Sequence, residues 1–280
     1  MDSLAVVNAN GIQQRYRIIG TRGPWVTLVH GSADNLMAWS LQVPSLSKRF
    51  RVLIYDVRGH GETETPASEP ITQVTYVEDL HQLLRALKIR STAVVGYSMG
   101  GGIARNFAAT YPALVWGAVL SNGGSRLDPP SDPSGDRAAE MDKMRQERIA
   151  SIRSRGMVAV FEGWLDNQYT QEFVAARPEI VDWHRSITTS NDPEKYIRTL
   201  IGGTSSNIDL SKITAPLMII VGAGDGYNPA GVANEFAQAL KGTKPEVNVF
   251  PTRHGSPFER YEEYNQTLLD FLGRNKPHRK

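Results

Sequence analysis

The stretch Val94-Val95-Gly96-Tyr97-Ser98-Met99-Gly100-Gly101-Gly102 runs from β-branched residues through a Gly-x-Ser-x-Gly pattern into the helical-looking segment Ile103 to Thr110. A serine between a strand and a helix sits on a turn so sharp that side chains two residues to either side collide, and Gly96 and Gly100 relieve that crowding. The turn, a nucleophile elbow, pushes the Ser98 hydroxyl out of the sheet edge. The helix that follows aims its free N–H groups at the same place. Alone, the pattern fits equally well a glycine-rich turn whose serine is a cap, so the reading depends on the rest of the chain.

To either side of this segment lie short, continuously apolar runs: Trp25 to His30, Val52 to Tyr55, Thr92 to Tyr97, Leu114 to Leu120, Leu217 to Val221 and Val247 to Phe250. Runs without polar alternation belong to strands buried on both faces, as in a parallel sheet. Between them Met37 to Leu46, Tyr76 to Leu87, Ile103 to Thr110, Val232 to Leu240 and Tyr261 to Leu272 have amphipathic spacing. The alternation predicts an α/β fold, a twisted, mostly parallel sheet with helices on both faces. Ligands then bind at the carboxyl ends of the strands. From Leu127 to Ser206 the alternation stops: no strand-like run occurs, and apolar residues recur at helical spacing (Met141, Met144, Ile149, Ile152; Val158, Phe161, Leu165). A loop of that length is improbable in a compact domain. We expect a helical cap at 127–206, entered through the proline-rich segment 127–135, on a core formed by 1–126 and 207–280.

Composition narrows the function classes. The 280 residues carry 31 basic and 29 acidic side chains, a formal net charge of +2. That balance gives no argument for a nucleic-acid partner. The only basic block is the tail around His278, read as a solvated terminus. There is no cysteine, which excludes disulfides, thiolate metal sites and a cysteine nucleophile and suits the cytoplasm. Neither a signal-peptide pattern nor an apolar run near the roughly 18 residues of a membrane span is present, so no membrane partner is expected. Gly100-Gly101-Gly102 lacks the lysine and spacing of a phosphate loop. No cofactor and no metal are expected.

Several motifs recur in one order: Val29-His30-Gly31-Ser32, Tyr55-Asp56-Val57-Arg58-Gly59-His60-Gly61, the elbow, Gly222-Ala223-Gly224-Asp225 with Pro229, and His254 with Glu259. In this the chain resembles the α/β-hydrolase superfamily throughout, outside the insertion, which corresponds to that family's cap. Within it the chain is most similar to capped esterases and lactonases of the 3-oxoadipate enol-lactonase type.

A serine hydroxyl is a poor nucleophile at neutral pH without a base in hydrogen-bond reach, itself oriented by a carboxylate. His254 follows the last strand and comes after Asp225, giving the order serine, acid, histidine that the resemblance implies. His30 and His60 are assigned to turns and packing, His81 and His184 to helix surface or satisfied core. The family's alternative acid position holds Asn122, which cannot carry the charge, and Asp56 and Asp79 are read as structural. Ser32 and Met99 match the residues whose backbone N–H groups form the oxyanion hole. The Ser32 hydroxyl is read equally as a third donor or a turn group. Arg253, where the family usually has glycine, is expected to face solvent or Glu259.

The resemblance therefore implies a serine hydrolase that cleaves a carboxylic ester or lactone through an acyl-enzyme on Ser98. Aspartate-dependent dehalogenase and epoxide chemistry is disfavoured, because the elbow holds serine. Carbon–carbon bond hydrolysis by the same three residues and a receptor-like binding role remain the alternatives. Met37, Trp39, Trp164 and Trp183 are the pocket candidates, pointing to an apolar or aromatic small-molecule substrate. Arg126, Arg177, Arg185 and Arg198 are the residues considered for binding a substrate carboxylate.

Overall fold

A computed structural model describes residues 4–67, 71–127, 135–202 and 208–277. Its strands are β1 (Ala5–Ala9), β2 (Ile12–Ile19), β3 (Trp25–Val29), β4 (Arg51–Tyr55), β5 (Thr92–Tyr97), β6 (Val115–Ser121), β7 (Leu217–Gly222) and β8 (Glu246–Phe250). They form one sheet in the order β1-β2-β4-β3-β5-β6-β7-β8. All pairs from β4 to β8 are parallel. β1 and β2 are antiparallel to their neighbours. The six apolar runs are therefore the parallel strands, and β5 and β7 are buried along their whole length.

The β1–β2 hairpin is absent from the sequence reading. β1 and the first residues of β2 alternate between more and less buried positions, and the rest of β2 is half-buried, because a hairpin at the sheet's edge has one solvated face, so a search for continuous apolar runs passes over it. The turn was legible nonetheless: Asn10-Gly11 takes positive φ at both positions (52° and 73°), as a two-residue hairpin turn requires.

The helices are α1 (Val43–Leu46), α2 (Gln73–Ala86), α3 (Met99–Thr110), α4 (Asp136–Arg155), α5 (Val158–Gln168), α6 (Gln171–Ala176), α7 (Pro178–Thr189), α8 (Pro193–Ile201), α9 (Ala230–Ala239), α10 (Ser256–Glu259) and α11 (Tyr261–Asn275). Residues of α2, α3 and α9 share one apolar cluster with one side of the strands (Val94, Ile219, Val221). α11 and the segment around Trp39 and Leu46 cover the opposite side (Ala93, Val95, Met218, Ile220). This is the period-two alternation of a sheet packed on both faces.

α4 to α8 all fall between β6 and β7, where the sequence has no strand-like run. α4, α5 and α8 bury a separate cluster containing Ile149, Ile152, Met157, Val160, Tyr196 and Ile197, closed against Ala33 after β3. The proline-rich entry at 128–134 and the segment 203–207 lie outside the described residues. From β3 the chain crosses to β4 on one side and returns to β5 on the other. That switch leaves a crevice at the carboxyl ends of β3 and β5.

Candidate active site

Ser98 joins β5 to α3 with φ 53° and ψ −115°, a left-handed conformation that a residue other than glycine adopts only when its surroundings hold it there. Two close approaches do so. A Cβ on Gly96 would lie 1.9 Å from the Gly100 carbonyl oxygen, and a Cβ on Gly100 would lie 2.1 Å from that of Val29. The Ser98 N–H is tied to the Ser121 carbonyl at 2.8 Å. Met99 opens α3, so its N–H is one of those without an intrahelical acceptor.

His254 and Asp225 arrive from the loops after β8 and β7. The His254 Nε2 is 2.9 Å from the Ser98 Oγ. Its Nδ1 is 2.9 and 3.0 Å from the two Asp225 carboxylate oxygens. A carboxylate accepts only, so Nδ1 carries the proton and Nε2 is left to accept from the serine. Asp225 is buried, which pushes its carboxyl up, yet the hydrogen bond from His254, with the Asn228 N–H and the Asn122 amide, holds it below the ordinary aspartate value. Asn122, at the alternative acid position, donates to Asp225 Oδ2 at 3.2 Å. It supports the acid in place of supplying one.

The end of α5 touches all three loops. The Asn167 and Gln168 carbonyls accept from His254 N (3.0 Å) and Gly255 N (2.7 Å). The Asn167 side chain accepts from Gly226 N at 2.9 Å, and Gln168 Nε2 donates to Tyr97 OH at 2.7 Å. Glu259 completes the support, accepting from Arg253 N on one oxygen and from Thr170 N and Oγ1 on the other. It is thus the Arg253 backbone that meets Glu259. The half-buried guanidinium makes no ion pair among the described residues.

A cavity of about 380 Å³ opens onto Ser98 and His254 and is lined also by Ser32, Asp34, Arg148, Trp164, His184 and Tyr227. Of the four pocket candidates only Trp164 lines it. Trp39 is 2 % exposed, packed in the core against the sheet. Trp183 packs edge-on against Phe258 at 6.2 Å, and Met37 is 37 % exposed on the surface. The wall is more polar than expected. Asp34 and His184 are paired at 2.7 Å, and His184 also meets Tyr169 OH. Arg148, on α4, donates to Tyr196 OH at 2.6 Å and stands over the Trp164 and Tyr196 rings.

Sequence reading missed Asp34, Arg148, Gln168 and Tyr196. Of the arginines it did consider, Arg126 lines the cavity and donates to the Tyr227 carbonyl. Arg177 and Arg185 pair with Glu179 and Glu162 outside the cavity, and Arg198 donates to the Thr65 carbonyl.

His30 accepts from Val57 N on Nε2 and meets the Gly31 carbonyl through Nδ1; it ties two loops together. His81 is a helix residue beside Glu78. Arg58 pairs with Asp79, while Asp56 accepts from the Leu36 and Glu62 amides. Both carboxylates are occupied structurally. Among the described residues no group of three or more His, Asp or Glu side chains could hold a metal, and no helix is long and apolar enough to cross a membrane.

A family model described as alpha/beta hydrolase fold matches residues 24–261. An enol-lactonase from Burkholderia xenovorans LB400 superposes with a TM-score of 0.83 at 29% identity, covering 96% of this chain and 100% of that one. A thermophilic esterase from Thermogutta terrifontis does so with a TM-score of 0.85 at 23% identity, over 98% and 100%. A 2-hydroxy-6-oxononadienedioate/2-hydroxy-6-oxononatrienedioate hydrolase of Paraburkholderia xenovorans is 23% identical over 93% of this chain and 91% of its own. An uncharacterised protein of Mycobacterium tuberculosis is 35% identical over 115 residues, 41% of this chain, and the match spans 33% of that protein's length.

Proposed function

The chain belongs to the alpha/beta hydrolase fold family, and on that premise we propose that it is a serine hydrolase that cleaves a carboxylic ester or lactone. The observation that carries this reading is the hydrogen-bonded line Asp225–His254–Ser98 at the mouth of the cavity. Ser98 Oγ attacks the carbonyl carbon as His254 Nε2 takes its proton. Asp225 keeps the imidazole in the right tautomer and stabilises its charged form. The Ser32 and Met99 amides hold the oxyanion. His254 then returns the proton to the leaving oxygen, giving an acyl-enzyme on Ser98, and activates a water that releases the acid. In this reading residues 127–206 are a cap whose helices wall the cavity, and the substrate is a small molecule.

Carbon–carbon bond hydrolysis by the same three residues is the second reading. One observation favours it: two arginines, Arg126 and Arg148, line the cavity, and neither has a carboxylate partner among the described residues, so they suit a substrate bearing carboxylates. The dioate hydrolase relative is named for such a substrate.

The test is a panel of nitrophenyl esters, lactones and vinylogous 1,5-diketo acids, run beside Ser98→Ala with circular dichroism as the folding check. Hydrolysis of esters or lactones that falls by on the order of 10⁴-fold or more in Ser98→Ala supports the first reading. Turnover of the diketo acids alone supports the second. Turnover that survives in Ser98→Ala overturns both.

A further inference from the structure

Tyr196 is fully buried, and among the described residues its hydroxyl has two partners, Arg148 Nη2 at 2.6 Å and Ser32 Oγ at 3.0 Å. The protons on this line are fixed by what each group can do. A guanidinium only donates, so the Tyr196 oxygen accepts from Arg148. If Ser32 also donated to Tyr196, the phenol hydrogen would be buried with no acceptor, which is costly. The phenol hydrogen therefore goes to Ser32 Oγ. That leaves the hydrogen of Ser32, a half-buried residue of the cavity wall, free to point into the cavity that also holds Ser98.

We propose that the Ser32 hydroxyl is a third oxyanion donor, and that Tyr196 and Arg148 are positioning residues that aim and polarise it. The inference rests on the acyl-transfer reading above and extends it from backbone amides to a side-chain relay. A hydroxyl that accepts from a polarised donor is itself a better donor, because linked hydrogen bonds strengthen one another and a charged end strengthens the line. Arg148 suits that end. It is held over two aromatic rings and has no carboxylate partner among the described residues to draw it away. Charge builds on the substrate oxygen only as the tetrahedral intermediate forms, so the relay acts on kcat more than on KM.

A double-mutant cycle on the full-length protein tests it, using Ser32→Ala, Tyr196→Phe and the double variant. Three quantities are read: kcat and KM on the best ester substrate, inhibition by a trifluoromethyl ketone analogue of that substrate, and thermal unfolding. The loss of one strong oxyanion donor costs about 10²- to 10³-fold. For a third donor we expect Ser32→Ala to lower kcat by about 10- to 100-fold and Tyr196→Phe by roughly threefold to tenfold, with KM within about threefold and ketone inhibition weakened in step.

The double variant should match Ser32→Ala alone, because Tyr196 acts only through Ser32. Additive losses, or a kcat unchanged by Ser32→Ala, overturn the relay. A Tyr196→Phe effect confined to melting temperature also overturns it, as packing alone would explain that. Ser98→Ala separates the two levels: activity that survives there removes the acyl-transfer reading and the relay together, whereas an inactive Ser98→Ala with an additive cycle removes the relay only.

Discussion

His254 and His30 are both buried with both ring nitrogens engaged, and they differ in what the second nitrogen meets. For His30 it is a backbone N–H, which leaves nothing to transfer. For His254 it is a hydroxyl in a cavity. His60 is a third case: its Nδ1 meets the Arg58 carbonyl, while Nε2 is buried without a hydrogen-bond partner among the described residues. Burial, with His30 nearby, lowers its pKa from 6.5 to about 3. A histidine kept neutral in the fold but free to protonate when unfolded costs stability as pH falls through that window, because the unfolded state then binds the extra proton. The stability should therefore decline from pH 6.5 toward 3, with His60→Gln making the slope shallower by up to one proton. Urea unfolding at a series of pH values measures this, and an unchanged slope would remove His60 from the account. Arg253→Gly should leave kcat within about tenfold, a difference of roughly 1.4 kcal/mol, since the guanidinium makes no ion pair among the described residues; steady-state kinetics decide. Ser98, Asp225 and His254 were legible because each follows a strand end with its own local signature. Asp34 and Arg148 carried no such signature, as their roles come from neighbours more than 40 residues away in the chain.

The elements that hold the three loops together are α5 and α10. Glu259, at the end of α10, has two carboxylate oxygens for three donors from the His254 loop and the α5–α6 junction. In Glu259→Gln an NH2 group replaces one acceptor and leaves at least one donor facing it. A fully buried mismatch costs about 1–3 kcal/mol; Glu259 is half-buried, so the cost lies toward the lower end of that range, but melting temperature should fall and kcat should drop by about threefold to tenfold as His254 loses its register with Ser98. Thermal unfolding and kinetics on the same sample check both, and a variant unchanged in either would show that the α5 carbonyls suffice. The elbow was the most readable element, since its glycines answer a steric demand visible in five residues. The contacts of Asn167 and Gln168 were not readable in this way: two of them use backbone carbonyls, which any residue supplies.

At the scale of the whole molecule, the parallel strands brought three distant segments to one sheet edge, and their order along the chain was enough to foresee that. The sheet's extent was not, because the β1–β2 hairpin alternates instead of running apolar. The pocket was least legible. Large apolar residues are needed both to fill a core and to line a cavity, and Trp39 and Trp183 went to the core. Which side chains of α4 to α8 look inward depends on how those helices sit across the strand ends, a relation between segments that no local pattern carries.

The central claim is that Ser98 forms a covalent bond with the acyl carbon, and trapping tests it most directly. The protein is treated with a p-nitrophenyl alkylphosphonate and analysed by intact mass and peptide mapping. One phosphonyl group per chain, on Ser98, with stoichiometric loss of esterase activity and no labelling of Ser98→Ala or His254→Ala, is the predicted result. Labelling at another residue, or full activity in a protein labelled at Ser98, would contradict the account.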